Sequence, residues 1–289
     1  MSTKSIGASA PKAKAYFRES AFSLPEIDKT ERFDNELIEG LFTFPSTAMI
    51  YGKSNSGKTF YAIDIAMSVA TGIPTLGMKT SVDGVGCNVL YLAAESPSGV
   101  KTRIRTWKEG KRNQYLTTGG NCFVVGNAID LYAGNSTESI ELTIAEINKE
   151  NTLESDDSRN DVRLVVIDTL AKSSGGANEN SSDMARVMMN AERIAERCNC
   201  VVLIVHHSGK DESAGARGHS SVQGAVDTVI HCEAFIGGTK CFIEKQRDLD
   251  TKGKEYAYKL EPVDIGVNQW GNKRTSCFIV SCDLPKKVN

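Results

Sequence analysis

Between a short apolar run of strand length, Thr47-Ala48-Met49-Ile50-Tyr51, and a stretch with apolar residues at helical spacing (Ile63, Ala66, Met67, Ala70), the chain carries Gly52-Lys53-Ser54-Asn55-Ser56-Gly57-Lys58-Thr59. This run fits G-x-x-x-x-G-K-[ST] in the strand–loop–helix context that the motif requires. Glycines let backbone N–H groups curl around a polyphosphate, and the following helix N-terminus adds a favourable dipole. Lys58 is then placed to reach the β- and γ-phosphates, and Thr59 to offer its hydroxyl to Mg²⁺. The expected nucleotide contacts are Gly52, Lys53, Ser54, Asn55, Ser56, Gly57, Lys58, Thr59 and Phe60. A glycine-rich turn that binds nothing is the alternative, and the agreement of motif with context weighs against it.

Downstream, apolar strands alternate with helical patterns. Asn88 to Ala94 reads as a buried strand ending in Glu95, and Pro97 marks a helix start. Val100 to Lys111 reads as a basic helix, with Lys101, Arg103, Arg105, Lys108 and Lys111. Cys122 to Val125 is a strand, and Thr137 to Glu150 an amphipathic helix. Arg163 to Asp168 is a nearly continuous apolar strand ending in a carboxylate. Ser173 to Asp183 is a small, polar loop, followed by a helix to Cys198. Cys200 to Val205 is a central strand ending in His206-His207, and Ser208 to Ser221 is again rich in Gly and Ser. Four strand-like runs complete the chain: Val226 to Glu233, Lys240 to Lys245, Glu255 to Leu260 and Ser276 to Ser281.

This order predicts an α/β fold: a mostly parallel sheet flanked by helices, with antiparallel C-terminal strands at one edge. Residues 1–35 read as a flexible N-terminal arm, and 36–289 as one domain. The arm is either a plain elaboration of its own domain or a segment that docks on a neighbouring subunit. Net charge is −2, so no global basic signature for nucleic acid exists, although a local basic groove inside a ring could still hold a strand. Of eight cysteines only Cys198 and Cys200 are close, with no second pair at zinc-ligand spacing. Reduced core cysteines, no membrane-length apolar run and no signal peptide point to a cytoplasmic protein without a membrane partner.

In a parallel sheet, ligands sit beyond the carboxyl ends of the strands. The phosphate loop, Glu95, Asp168 and the histidine pair all fall at such ends. Asp168 is the expected Mg²⁺ carboxylate, directly or through water, together with Thr59. Glu95 is the candidate base that orients an attacking water, on a strand expected beside the phosphate-loop strand. A helix-terminal acid and a strand-end turn aspartate are the plainer readings of the two. His206 and His207 point in different directions, so one can face the nucleotide and sense the γ-phosphate. Metal ligation by that pair has less support, since no Cys/His cluster accompanies it.

Gly52 to Thr59, Leu90-Tyr91-Leu92-Ala93-Ala94-Glu95, Val165-Val166-Ile167-Asp168-Thr169 and Val205-His206-His207-Ser208 together resemble the RecA-like hexameric replicative helicases. The plasmid RepA type is most similar and the DnaB type more distant; the resemblance spans roughly residues 35 to 285. Two further stretches extend it. Gly215 to Asp227 looks like the loop and helix that line the central channel and touch single-stranded DNA. Glu244-Lys245-Gln246-Arg247 looks like the Lys-x-Arg that enters a neighbour's ATP site. The resemblance implies Arg247 as an arginine finger with Lys245 as its partner, both stabilising charge on the phosphoryl group. Arg217 is a rival finger or a DNA contact. Lys172, Lys210 and Arg217 are the candidate DNA residues, on the loops 173–183 and 208–221 or beside them.

What the resemblance implies is a hexameric ring that burns Mg²⁺–ATP to move on DNA during replication of a plasmid, phage or integrated element. A replication initiator, loader or primase is the further partner it implies. No separate primase-interacting N-terminal domain is visible. The alternative is a RecA-like switch or recombination mediator that binds single-stranded DNA without unwinding. A small-molecule kinase fits less well, for want of an arginine-rich helical lid.

Overall fold

The strand Val162–Asp168, buried along nearly its whole length, shows how the sequence builds this sheet. Leu164 and Val166 join the apolar core on one face, while Val165 and Ile167 join the core on the other. A strand apolar on both sides must be covered on both sides. A computed structural model of the chain describes residues 35–80, 86–111, 120–127, 129–154, 161–177, 182–207 and 222–286. The N-terminal arm therefore lies outside the described residues, apart from Asn35.

The strands are β1 (Glu36–Ile38), β2 (Phe42–Thr43), β3 (Ser46–Gly52), β4 (Asn88–Ala93), β5 (Cys122–Val125), β6 (Val162–Asp168), β7 (Val201–His207), β8 (Thr228–Phe235), β9 (Gly238–Gln246), β10 (Glu255–Val267) and β11 (Lys273–Cys282). The helices are α1 (Lys58–Thr71), α2 (Pro97–Gly110), α3 (Asn135–Glu154), α4 (Leu170–Ser173) and α5 (Ser182–Cys198). β1 and β2 form a small antiparallel pair, and the other nine strands form one sheet ordered β11-β10-β9-β8-β3-β7-β6-β4-β5. β8, β3, β7, β6, β4 and β5 run parallel, and β9, β10 and β11 continue as an antiparallel meander. The α/β architecture with antiparallel C-terminal strands at one edge is the one the sequence predicts.

Tyr61, Ile65, Met67 and Val69 of α1 pack on one face together with Val100 and Trp107 of α2. Ile140, Ile144 and Ile147 of α3 cover the other face, with Met184, Val187, Ala191 and Ile194 of α5. Buried Asp64 ties α1 to α2, since its carboxylate accepts hydrogen bonds from Trp107 Nε1 at 2.7 Å and from Thr75 Oγ1 at 2.6 Å. Among the described residues no helix is long and apolar enough to cross a membrane.

Two expectations are corrected. The strand that leads to Glu95 does not lie beside the phosphate-loop strand: β3 sits between β8 and β7, and β7 and β6 separate it from β4. Each crossover carries a helix long enough to skip strands, so chain order does not dictate neighbours. The first of the four C-terminal strands is also not antiparallel to both neighbours: β8 pairs antiparallel with β9 but parallel with β3, Ala48 opposite Thr228 and Tyr51 opposite His231.

Candidate nucleotide site

Gly52 ends β3, and five residues later Gly57 opens α1. Both have positive φ, 151° and 81°. A Cβ on Gly52 would sit 2.1 Å from the Cys232 carbonyl oxygen, and one on Gly57 would sit 3.0 Å from the Tyr258 hydroxyl. So these glycines answer both to the turn and to β8 and β10 pressing on the loop. Thr239 Oγ1 adds a hydrogen bond to the Ser56 carbonyl at 3.1 Å. Lys53, Ser54 and Asn55 form the exposed crest.

Lys58, the first residue of α1, is buried and folds back over the loop. Its amine donates to the Gly52 carbonyl at 2.8 Å, the Lys53 carbonyl at 2.6 Å and Ser56 Oγ at 3.3 Å. Burial pushes its pKa down to about 8, and the carboxylates of Asp168 and Glu95 are among the groups that oppose the shift. A cation held this way is poised to exchange neutral carbonyls for anionic phosphate oxygens.

Because β3, β4, β6 and β7 are parallel, their carboxyl ends meet at one edge. There Asn55, Gly57, Lys58, Thr59 and Phe60 line an open cleft of about 210 Å³. Glu95, Ser96, Val100, Arg103, Asp168 and His207 form its other walls. Asp168 is nearly inaccessible at 4% exposure, and burial raises its pKa. Its carboxylate accepts a hydrogen bond from the Tyr91 hydroxyl at 2.7 Å, and the Thr59 hydroxyl nearby opposes the effect of burial on its pKa. Glu95 is half-exposed, with Oε2 3.8 Å from His207 Nε2. His207 thus faces the cleft, whereas its neighbour His206 is buried and does not line it.

The oxygen donors of Thr59 and Asp168 suit a hard divalent cation, and a buried carboxylate favours one electrostatically. No group of three or more His, Cys, Asp or Glu able to hold a metal exists among the described residues. Mg²⁺ is commonly bound through one or two protein oxygens, substrate phosphates and water.

Arg103 is a cleft residue that sequence reasoning took only as one charge of a basic helix. Its guanidinium lies 4.7 Å from the centre of the Phe60 ring and close enough to Asp168 to lower that carboxyl's pKa. Its position three residues after Val100, on the face turned toward the helix start, was the available signal. Tyr91 was missed as well, since an aromatic in a buried strand looks like packing.

Lys245 and Arg247 are not in the cleft. The Lys245 amine donates to the carbonyls of Gln223, Gly224 and Val226 in its own chain. Arg247 lies just past the end of β9 and pairs with Asp227. Cys241 of β9 stands opposite Cys232, near the phosphate loop, and Gln246 stands opposite Thr228, away from it. Arg247 therefore occupies the opposite end of the sheet from its own phosphate loop. Lys172 is exposed on α4, directly after the Asp168 strand. Lys210, Arg217 and the loop 208–221 lie outside the described residues.

A phosphate loop at the carboxyl edge of a parallel sheet, facing a buried strand-end aspartate, defines a P-loop NTPase fold. A family model described as an AAA domain matches residues 17–213, and the chain belongs to that family, a P-loop, RecA-like ATPase domain found in helicase-like proteins. The matched segment contains every residue lining the cleft and ends before β8. No curated protein matches the chain significantly.

Proposed function

We propose that this chain is an ATP-driven, ring-forming DNA helicase or translocase that acts in replication of a plasmid, phage or integrated element. The observation that carries the reading is the split of chemistry between the two ends of the sheet. Lys58, Thr59, Glu95, Asp168 and His207 surround one cleft, while Arg247 stands at the far end, out of reach of its own cleft. An arginine that cannot reach its own cleft can serve the cleft of a second copy, and repeated head-to-tail contacts of that kind close into a ring.

In this reading Lys58 moves from the loop carbonyls to the β- and γ-phosphates. Thr59 and Asp168 would hold Mg²⁺, which would supply positive charge to offset the charge developing on the phosphates. Glu95, at the open side of the cleft, orients the attacking water. Arg247 of the adjoining subunit offsets charge on the transferring phosphoryl group, and Lys245 holds the segment that carries it. His207, near both Glu95 and the start of the loop 208–221, reports the state of the γ-phosphate to that loop. Lys172, Lys210 and Arg217 contact the single strand through its phosphates, without regard to sequence.

The test combines two assays on the purified protein. Single-stranded DNA stimulates ATP hydrolysis, ATP drives separation of a tailed duplex, and Lys58→Ala abolishes both. ATPase that DNA leaves unchanged, with no strand separation, assigns the protein instead to the switch or mediator class. Normal hydrolysis by Lys58→Ala removes the site altogether.

A further inference from the structure

We infer that Tyr91 is a positioning residue whose hydroxyl sets the spacing between the two carboxylates of the cleft, Asp168 and Glu95. The inference rests on the ATPase reading above and names a group that reading leaves unused.

Tyr91 lies two residues before Ala93, and Ala93 is the residue of β4 directly opposite Asp168 on β6. Its ring is completely buried, and its hydroxyl reaches diagonally along the ladder to donate to Asp168 Oδ2 at 2.7 Å. The backbone of Asp168 is gripped by the same strand: its carbonyl accepts Ala94 N–H at 2.9 Å and Glu95 N–H at 3.4 Å. β4 and the two residues after it thus hold Asp168 at both side chain and main chain, and the main-chain grip includes Glu95, the residue expected to orient water.

The strand order makes this clamp consequential. β4 shares no ladder with β3, so the distance from Glu95 to Lys58 is not set by a direct pairing. It is set through β7 and β6, and Asp168 is the point where β6 enters the cleft. Tyr91 donates a neutral hydrogen bond. It takes one carboxylate oxygen, leaves the other to the cleft, and does not consume the charge that a cation needs. A guanidinium in its place would neutralise Asp168 and compete with the metal. Phenylalanine would keep the packing and lose only the clamp.

Tyr91→Phe is therefore the informative variant. Binding of a fluorescent ATP analogue without divalent ions stays as in the wild type. The Mg²⁺ concentration that half-maximally tightens that binding rises about tenfold, within the range for loss of a hydrogen bond to a metal ligand. At saturating Mg²⁺, kcat falls while KM for ATP changes little. In an Asp168→Asn background the Tyr91→Phe change has no further effect on the Mg²⁺ dependence, because the group it acts through is gone. A Mg²⁺ titration of Tyr91→Phe that superimposes on the wild type overturns the inference, as does an undiminished effect in the Asp168→Asn background. Failure of the wild type to bind ATP overturns the ATPase reading along with it. Normal Mg²⁺–ATP turnover that ignores Tyr91 overturns this inference alone.

Discussion

Arg247 is paired with Asp227, and the same Asp227 carboxylate accepts the backbone N–H of Thr47 at 2.9 Å. The finger candidate is thus anchored near the start of the strand whose other end carries the phosphate loop. Thr47 and Gly52 are five residues apart on β3, or about 17 Å at strand rise. An arginine side chain does not span that gap, so any role in hydrolysis is played on another copy.

This geometry yields a mixing test. Arg247→Ala and Glu95→Gln are each expected to lose most ATPase activity. Mixed subunits regain part of it, because some boundaries then pair an intact Glu95 with an intact Arg247. Steady-state hydrolysis against mixing ratio checks this; a flat response at every ratio rules the trans arrangement out.

Lys58 makes nucleotide affinity depend on pH. Its amine has a pKa pushed down to about 8 by burial, and bound phosphates favour the charged form. The complex therefore holds more protons than the free protein above that value. Affinity is full below about pH 8 and falls as pH rises through it, by at most about tenfold per unit. Calorimetry at pH 9 in two buffers of different ionisation heat should detect proton uptake on binding. Constant affinity from pH 7 to 9.5 would count against it.

Asp168→Asn separates stability from activity. Burial raises the carboxyl pKa, so its charge is a cost to the ligand-free fold at neutral pH. The amide removes that charge and keeps an acceptor for Tyr91, and the expected gain is on the order of 1 kcal/mol. Hydrolysis falls at least about 100-fold for loss of the cation ligand. A raised folded pKa means that the wild type gains stability as pH drops through it, so the variant's advantage shrinks on acidification. Denaturant titrations at two pH values decide this; a variant less stable than wild type at neutral pH contradicts it.

Gly57→Ala and Gly77→Ala form a matched pair. Both glycines have positive φ, 81° and 88°, but only at Gly57 does a new Cβ meet neighbours, the Tyr258 hydroxyl at 3.0 Å and Thr239 Oγ1 at 3.2 Å. Gly77→Ala is expected to cost about 1 kcal/mol of backbone strain and leave nucleotide binding intact. Gly57→Ala costs more and weakens nucleotide binding at least about tenfold, since the loop must shift. Equal effects of the two on binding would show that the crowding is immaterial.

The local parts of this protein were legible in its residues. Gly52 to Thr59 announced a strand, a tight loop and a helix, because φ freedom, a buried amine and apolar spacing are properties of a few neighbouring residues. The α/β alternation followed in the same way from period and length, and so did the strand-end positions of Glu95, Asp168 and His207. The Lys-x-Arg spacing was legible too: β9 ends at Gln246, yet Lys245 and Arg247 both reach the segment 223–227, Lys245 through its carbonyls and Arg247 through Asp227.

Strand order belonged to the tertiary structure alone. Which strands flank β3 depends on how far each helical crossover carries the chain, and no local pattern records that distance. The roles of Tyr91 and Arg103 were hidden for the same reason, since each takes its meaning from a residue more than 40 positions away: Asp168 for Tyr91, and Phe60 for Arg103. Residue type and spacing determined what chemistry this chain can carry. Long-range packing decided which groups share a cleft and which stand at the far end of the sheet from it.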